Sequence, residues 1–197
     1  MTTMDACHHG STVRPIWGER VSGDAVVVAP LASGLLLAIV DVLGHGPDAH
    51  ALASDMSAFL HEQARFDVSK LMTRTHEHVR GRRGAAVSLC SLELETGRLR
   101  FVGVGNTAVR CVGQAEMALT GQDGTVGSLL PRLREEELVL SDGDVLLLTT
   151  DGVSSHFCPD TLAGLFRDPP ATLSRTIVQR YGKQHDDAAC LVLRYRR

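Results

Sequence analysis

The fold of this chain is decided by residues 35–46, which read LLLAIVDVLGHG. The apolar run 35–40 is typical of a buried strand, and Asp41 places a carboxylate at its end. Gly44 and Gly46 follow at once, which predicts a tight turn whose backbone approaches a ligand closely. The stretch therefore predicts a strand that carries Asp41 to one end of a sheet.

A second apolar run, residues 25–29, precedes the first and is separated from it by a turn-like segment containing Pro30 and Gly34. This pattern predicts a β-hairpin. If the pairing is symmetric about residues 32–33, Asp24 falls opposite Asp41, and facing side chains in such a pair lie roughly 5 Å apart. Two carboxylates would then share one end of the hairpin.

The rest of the chain predicts an antiparallel α+β domain. Pro47 and Asp48 suit a helix start, and apolar residues then recur with helical spacing. These residues are Leu52, Met56, Phe59 and Phe66. Further predicted elements are a helix over 69–80, strands over 85–94, 99–104 and 107–112, a hairpin of 138–140 with 145–150, helices over 161–166 and 171–181, and a strand over 188–195. Short turns between strands favour antiparallel sheets over a doubly wound parallel one, and the length of 197 residues predicts one domain, 1–197.

A second pair of aspartates repeats the pattern of the first. Asp151 ends the apolar run 145–150, and Asp186 and Asp187 begin the run 188–192, so antiparallel pairing would bring them together. Alternation along a strand turns Asp186 and Asp187 to opposite faces, so one of them is expected to bind a ligand. Any single aspartate here has an alternative role as a cap of turn N–H groups. Four carboxylates at one edge repel unless cations neutralise them, which favours Mg²⁺ or Mn²⁺.

Composition argues against two classes of partner. The net charge is −3 and aromatic residues make up 4%, whereas nucleic-acid surfaces need clustered cations and stacking rings. The one basic cluster, Arg80, Arg82 and Arg83, is expected at a solvated helix end. The longest uncharged stretch, 25–40, is shorter than the ~20 residues of a membrane helix. No signal-peptide core is visible either, so a cytoplasmic protein without a membrane span is predicted.

The cysteines and most of the histidines are expected to be structurally ordinary. Five cysteines without a short metal-binding spacing favour a reducing compartment. Three of them lie inside apolar runs and are expected to be small buried hydrophobes: Cys90, Cys111 and Cys190. Three histidines lack the spacing of a zinc-protease helix and are expected at the surface: His61, His76 and His78.

Four short motifs carry a family resemblance. They are SGD at 22–24, DVLGHG at 41–46, GD at 143–144 followed by LLLTTDGV at 146–153, and HDD at 185–187. With these motifs in this order over nearly the whole chain, the protein resembles the PPM-type metal-dependent serine/threonine phosphatases, in particular the bacterial SpoIIE-like branch. The resemblance implies an α-β-β-α sandwich of two stacked antiparallel sheets flanked by helices.

The resemblance also implies a site. Two Mn²⁺ or Mg²⁺ ions would be held by Asp24, Asp41, the Val42 carbonyl, Asp151 and Asp186. Phosphoserine or phosphothreonine would be hydrolysed by a water bridging the two metals, without a phosphoenzyme. Asp24, Asp41 and His45 are the implied catalytic residues. His45 would position water or assist the leaving serine oxygen; alternatively, it caps the entry to the following helix.

The chain departs from the family pattern at several positions. Apolar residues 25–27 stand where many relatives carry a second aspartate, Ala189 stands where many have threonine, and serines 154–155 replace an acidic position. Lower metal affinity is the expected consequence. Arg14 and Arg20 are the candidates for a phosphate-binding arginine, and the turn containing Gly105 and Asn106 is expected to be structural.

Three functions remain open from the resemblance. The first is a feedback phosphatase acting on phosphorylated STAS-domain proteins of the stressosome. The second is a SpoIIE-like phosphatase of an anti-sigma-factor antagonist. The third is a catalytically weak or silent relative that binds a phosphorylated partner, which the presence of all four carboxylates disfavours.

Overall fold

A computed structural model describes residues 7–114, 117–154 and 165–197. Over these residues the chain forms ten strands and three α-helices. The strands are β1 (Cys7–Arg14), β2 (Asp24–Leu31), β3 (Gly34–Val42), β4 (Ala85–Glu93), β5 (Arg98–Val104), β6 (Ala108–Val112), β7 (Met117–Thr120), β8 (Glu136–Val139), β9 (Val145–Thr149) and β10 (Ala188–Tyr195). The helices are α1 (Gly46–Glu62), α2 (Val68–His78) and α3 (Pro170–Tyr181), with a 3₁₀ turn at Leu165–Arg167.

The strands form two antiparallel sheets that stack face to face. The first sheet has the order β2-β3-β4-β5-β8, and the second has the order β1-β10-β9-β6-β7. Side chains of both sheets form the central core, whereas α1 and α2 cover the outer face of the first sheet and α3 covers that of the second. The predicted α-β-β-α sandwich is therefore confirmed.

Strand β3 shows why its sequence is apolar throughout. Leu37 and Ile39 face the second sheet, while Leu36 and Ala38 face α1 and α2. All four are fully buried. A strand covered on both faces loses the polar alternation of a half-exposed strand, since neither face meets water.

The predicted hairpin is confirmed in its register. The ladder has eight residue pairs, from Leu31 with Gly34 next to the turn to Asp24 with Asp41 at the far end. The two carboxylates therefore leave the same end of the first sheet. Gly44 and Gly46, with φ of +85° and +79°, turn the chain from β3 into α1 as their sequence pattern predicts.

The predicted hairpin of 138–140 with 145–150 is wrong, because its two strands belong to different sheets. Strand β8 pairs with β5 at an edge of the first sheet, and β9 lies between β10 and β6 in the second. Asp144 closes the connecting turn by accepting a hydrogen bond from the Ser141 backbone N–H at 2.8 Å. A short polar turn between two apolar runs looks the same in the sequence whether the second strand pairs with the first or crosses to the other sheet.

Strands β1 and β7 were not predicted, and their edge positions explain the omission. Each lies at one edge of the second sheet. Strand β1 reads CHHGSTVR and has no run of apolar residues. This segment is a strand because it pairs with β10 along its whole length, and its own sequence does not indicate that pairing.

The helix predictions hold with shifted ends. Helix α1 ends at Glu62, so Phe66 lies beyond it, and α2 ends at His78, two residues before the predicted end. Residues 161–164 of the helix predicted over 161–166 lie outside the described residues. Over the described ranges, every helix is too short or too polar to span a bilayer.

One of the two histidine predictions on α2 needs correction. His76 is not a surface residue: it is 6% exposed, and its Nδ1 accepts a hydrogen bond of 3.0 Å from the Gly127 backbone N–H. His78 is exposed, as predicted, and its ring stacks on Phe59 of α1 with ring centroids 4.2 Å apart. The burial of His76 depends on its contact with Gly127, which is distant in sequence, so the spacing of the histidines alone did not reveal it. Cys90, Cys111 and Cys190 are buried free thiols, as predicted.

Candidate active site

The predicted carboxylates meet where the two sheets abut at one end. Asp24 and Asp41 lie at adjoining ends of β2 and β3, Asp151 follows β9, and Asp186 precedes β10. A cavity of about 180 Å³ opens beside Asp41, Asp151 and Asp186, whereas Asp24 is not among its lining residues. Its polar side chains are Asp41, His45, Asn106, Asp151, His185, Asp186 and Asp187. Four carboxylates in one small cavity make its electrostatic potential strongly negative.

Asp41 is the central carboxylate of this cavity. Its pKa is raised from 3.8 to about 7, first by burial and then by the negative charges of Asp151 and Asp186. The carboxyl group of Asp151 is also close enough to act as a hydrogen-bonding partner of Asp41, which raises the pKa of Asp41 further. A cation between such groups would relieve the repulsion between their charges.

Asp24 is the most deeply buried of the four predicted carboxylate ligands, with 5% of its surface exposed. Its pKa is raised to about 8, first by burial and then by the charge of Asp41. Thr150 opposes part of this shift, because its Oγ1 donates a hydrogen bond of 2.7 Å to Asp24 Oδ2. Thr150 in turn accepts a bond of 2.9 Å from the Ala189 backbone N–H. Thr150 thus connects a carboxylate of the first sheet to the second sheet.

Asp186 and Asp187 have different roles, as strand alternation predicts. Asp187 is 4% exposed and accepts hydrogen bonds of 2.7 Å from the backbone N–H groups of Ile16 and Gly23. It therefore ties the segment before β2 to the start of β10. Asp186 is half-buried, and its pKa is raised first by burial and then by the charge of Asp151. Both residues line the cavity, but the two oxygens of Asp187 already accept these backbone hydrogen bonds.

Asn106 is a site residue that the sequence interpretation placed in a structural turn. Its Nδ2 donates a hydrogen bond of 2.5 Å to Asp151 Oδ2, and its side chain lines the cavity. Gly105 before it has a φ of +91° and would place a Cβ 2.4 Å from the Ala86 Cβ, so that position does serve the backbone. The turn combines both roles, and the side-chain contact depends on a strand pairing that the local sequence does not encode.

His45 stands at the rim of the cavity, just before α1. Its side chain makes no capping hydrogen bond to the helix. Instead, its Nδ1 lies 3.1 Å from Glu19 Oε1, and 58% of the side chain is exposed. The neighbouring Val42 is buried, lines the cavity and donates its backbone N–H to the Gly23 carbonyl at 3.2 Å.

The two candidate phosphate-binding arginines lie outside the cavity wall. Arg14 donates from Nη2 to the backbone carbonyls of Lys183 at 2.5 Å and Asp186 at 3.3 Å, so it holds the segment that carries Asp186. Arg20 is exposed. Among the described residues, the cavity lining includes neither arginine nor lysine.

The donor set fits hard divalent cations by its chemistry. As the side chains stand, no group of three or more His, Cys, Asp or Glu within the described ranges is arranged to hold an ion. Carboxylate oxygens are nevertheless the ligands that Mg²⁺ and Mn²⁺ prefer. Burial and the neighbouring carboxylates raise the pKa values of Asp24 and Asp41, and a cation beside them would oppose both shifts. The aspartate side chains would have to rotate for their oxygens to converge on an ion.

Solved structures share this fold. A protein of the structure described as "The bacterial stressosome: a modular system that has been adapted to control secondary messenger signaling" is 28% identical, with a TM-score of 0.89 over 95% of this chain and 99% of that chain. RsbX in complex with magnesium is 17% identical, with a TM-score of 0.81 over 97% and 96%. The PP2C phosphatase domain of SpoIIE from Bacillus subtilis is 19% identical, with a TM-score of 0.73 over 95% and 63%.

Sequence comparison gives the family. No curated protein is significantly similar to this chain. The family described as Stage II sporulation protein E (SpoIIE) matches residues 32–196. This range includes β3 and all four aspartates that line the cavity, whereas the buried Asp24 lies before it. The chain therefore belongs to the SpoIIE family of PPM-type phosphatases.

Proposed function

We propose that this protein is a metal-dependent protein serine/threonine phosphatase. The observation that carries the proposal is the convergence of Asp24, Asp41, Asp151 and Asp186 from two sheets, with the pKa values of Asp24 and Asp41 raised to about 8 and about 7. Clustered carboxylates with such pKa values are a costly arrangement for a folded protein. Binding of divalent cations compensates for that cost, and membership of the SpoIIE family supports the same function.

The proposed ligands are the side chains of Asp24, Asp41, Asp151 and Asp186, with the backbone carbonyl of Val42. Two Mn²⁺ or Mg²⁺ ions are the proposed cofactors. When bound, such ions supply a water of lowered pKa and positive charge beside the phosphoryl oxygens.

The chain's own residues hold this ligand set in place. Thr150 orients Asp24, Asn106 orients Asp151, and Arg14 holds the backbone before Asp187. In hydrolysis, the oxygen of water replaces the serine or threonine oxygen at phosphorus, and the leaving oxygen takes a proton. His45 is proposed to position water or to donate that proton, and Glu19 fixes the orientation of its ring.

The proposed substrates are phosphorylated STAS-domain proteins of the stressosome, which would make the protein an RsbX-like feedback phosphatase in the cytoplasm. Two similarities support this proposal: 28% identity to a protein whose structure is described under the bacterial stressosome, and the fold shared with RsbX. An anti-sigma-factor antagonist is the alternative substrate, since it would use the same site. A catalytically weak relative that binds phosphoproteins is the alternative from another class. Neither nucleic acid nor membrane is among the proposed partners.

The test is release of phosphate from phosphorylated STAS-domain proteins in the presence of Mn²⁺. Wild type is compared with Asp41→Ala and with Asp142→Ala, a matched control in an exposed turn where the aspartate contacts Arg196 and the backbone of Arg197. Activity in wild type and Asp142→Ala but not in Asp41→Ala is expected. Retention of phosphate by wild type on every substrate would contradict the enzyme, and release by Asp41→Ala would contradict the role of Asp41.

A further inference from the structure

Trp17 is an exposed aromatic residue beside the candidate active site. It is the one tryptophan of the sequence, and 84% of it is exposed. Its neighbour Ile16 lines the cavity. A tryptophan buries a large area when a partner covers it, so one this exposed beside a site is a candidate contact for a partner.

The backbone that carries Trp17 is held in place. Ile16 donates its N–H to Asp187 Oδ1 at 2.7 Å, and Trp17 donates its own to the Gln184 carbonyl at 3.2 Å. Glu19, in the same turn, contacts His45 at the rim. Trp17 is therefore presented from a fixed position next to the cavity, and its segment loses little backbone entropy when a partner binds.

A second exposed apolar residue adjoins the cavity from the first sheet. Leu43 lines the cavity and is 52% exposed, and its backbone N–H is bound to the Gly84 carbonyl at 3.1 Å. Trp17 is anchored to the segment before β10 of the second sheet. Each sheet therefore has one exposed apolar residue next to the opening of the cavity.

The size of the cavity decides what can cover this rim. A volume of about 180 Å³ accommodates a phosphoryl group and the short side chain that carries it. It does not accommodate the protein surface around that side chain. If the phosphorylated residue of a folded protein occupies the cavity, the surrounding surface of that protein must lie on the rim. Tryptophan is among the residues enriched at the centres of such contacts.

We propose that Trp17, with Leu43, forms a docking surface for a folded phosphoprotein substrate, and that it sets the preference for protein over small phosphate esters. This inference rests on the proposed phosphatase function. The occupant is the apolar surface next to the phosphorylated serine or threonine of the substrate. Trp17 acts on substrate binding and leaves the chemistry of the carboxylate cavity unchanged.

The kinetic test compares a phosphorylated STAS-domain protein with 4-nitrophenyl phosphate, both with Mn²⁺. For Trp17→Ala, kcat/KM on the phosphoprotein is expected to fall by roughly tenfold or more through a higher KM, as for a truncated interface tryptophan. Turnover of 4-nitrophenyl phosphate is expected to stay within about twofold of wild type, since that ester brings no surrounding protein surface to cover Trp17. Trp17→Phe should restore part of the loss. Val139→Ala is the control: Val139 is 64% exposed but lies in β8, at the opposite end of the first sheet.

The outcomes separate this inference from the proposed function. If wild type hydrolyses neither substrate, the phosphatase function fails and the docking surface with it. If it hydrolyses only 4-nitrophenyl phosphate, phosphatase chemistry stands and the protein partner is overturned. If it hydrolyses both and Trp17→Ala matches wild type on both, the docking surface alone is overturned.

Fluorescence gives a readout that does not depend on turnover. Because Trp17 is the one tryptophan, its emission reports contact directly when the STAS-domain protein carries none. In the slow variant Asp41→Asn, a blue shift is expected on addition of the phosphoprotein. No shift at concentrations above the KM would overturn the proposal, as would a shift that follows the concentration of the phosphatase alone, which indicates self-association.

Discussion

The hydroxyl of Thr150 donates a hydrogen bond of 2.7 Å to the buried carboxylate of Asp24. Thr150 follows β9 of one sheet and Asp24 begins β2 of the other, so the bond crosses between the two layers. The same hydroxyl oxygen accepts the Ala189 N–H, which leaves its proton directed at Asp24. The orientation of one proposed metal ligand is thereby coupled to the packing of the sheets.

Replacement of Thr150 by valine, which has nearly the same shape, should lower both stability and metal affinity. The Ala189 N–H and Asp24 would lose a buried partner, which costs about 1–3 kcal/mol of unfolding free energy. Thr150→Ser keeps the hydroxyl and is expected to stay close to wild type. Urea unfolding and the Mn²⁺ dependence of activity measure the two effects. Equal stability of the valine and serine variants would contradict the coupling.

Asp186→Asn and Asp187→Asn should have opposite effects on the metal-free protein. Burial and the charge of Asp151 raise the pKa of Asp186, so an uncharged side chain there should leave stability unchanged or increase it while weakening Mn²⁺ binding. Asp187 accepts two backbone hydrogen bonds, and an amide cannot accept both with the strength of a carboxylate. Thermal unfolding with EDTA and Mn²⁺ titration distinguish the variants. A larger loss of stability in Asp186→Asn would reverse the assignment.

The metal-free protein should lose stability as the pH rises from about 4 to about 8. The pKa values of Asp24 and Asp41 are raised in the fold from 3.8 to about 8 and about 7. Between these pH values the folded state therefore binds protons that the unfolded state has released. The stability that these protons contribute is fully present below pH 3.8 and is lost as the pH rises through the pKa values of the folded state. Urea unfolding in EDTA at several pH values measures the slope.

Two comparisons make that pH slope specific to the site. Asp24→Asn should flatten it, since one of the two groups no longer titrates. Mn²⁺ should stabilise wild type more at pH 8 than at pH 5, because the ion competes with protons for the same carboxylates. A slope that is identical in wild type and Asp24→Asn would show that other groups cause it.

Asn106→Ala should reduce phosphatase activity by roughly tenfold with little change in stability, as for loss of a residue that orients a metal ligand. The reason is the hydrogen bond from Asn106 to Asp151, which the variant removes. Asn106→Asp should lower activity further at limiting Mn²⁺, because it adds a negative charge to the cavity. Activity is measured across Mn²⁺ concentrations. If excess Mn²⁺ fails to recover any activity in Asn106→Ala, Asn106 has a role other than orienting a metal ligand.

The sequence by itself determined the central part of this protein. Residues 35–46 predict a doubly buried strand, a carboxylate at its end and a glycine turn, and the short connection before them predicts the pairing of Asp24 with Asp41. These features depend on side-chain period and on a two-residue turn, both of which are local. The helices and most strands follow for the same reason.

Only the tertiary structure decided which layer each strand joins and what each polar side chain contacts. The crossing from β8 to β9, the edge strand β1 and the burial of His76 all depend on partners distant in sequence. The contacts of Thr150 with Asp24 and of Asn106 with Asp151 span 126 and 45 residues. Local pattern cannot specify such contacts, because they form only when the two sheets pack and bring the strand ends together.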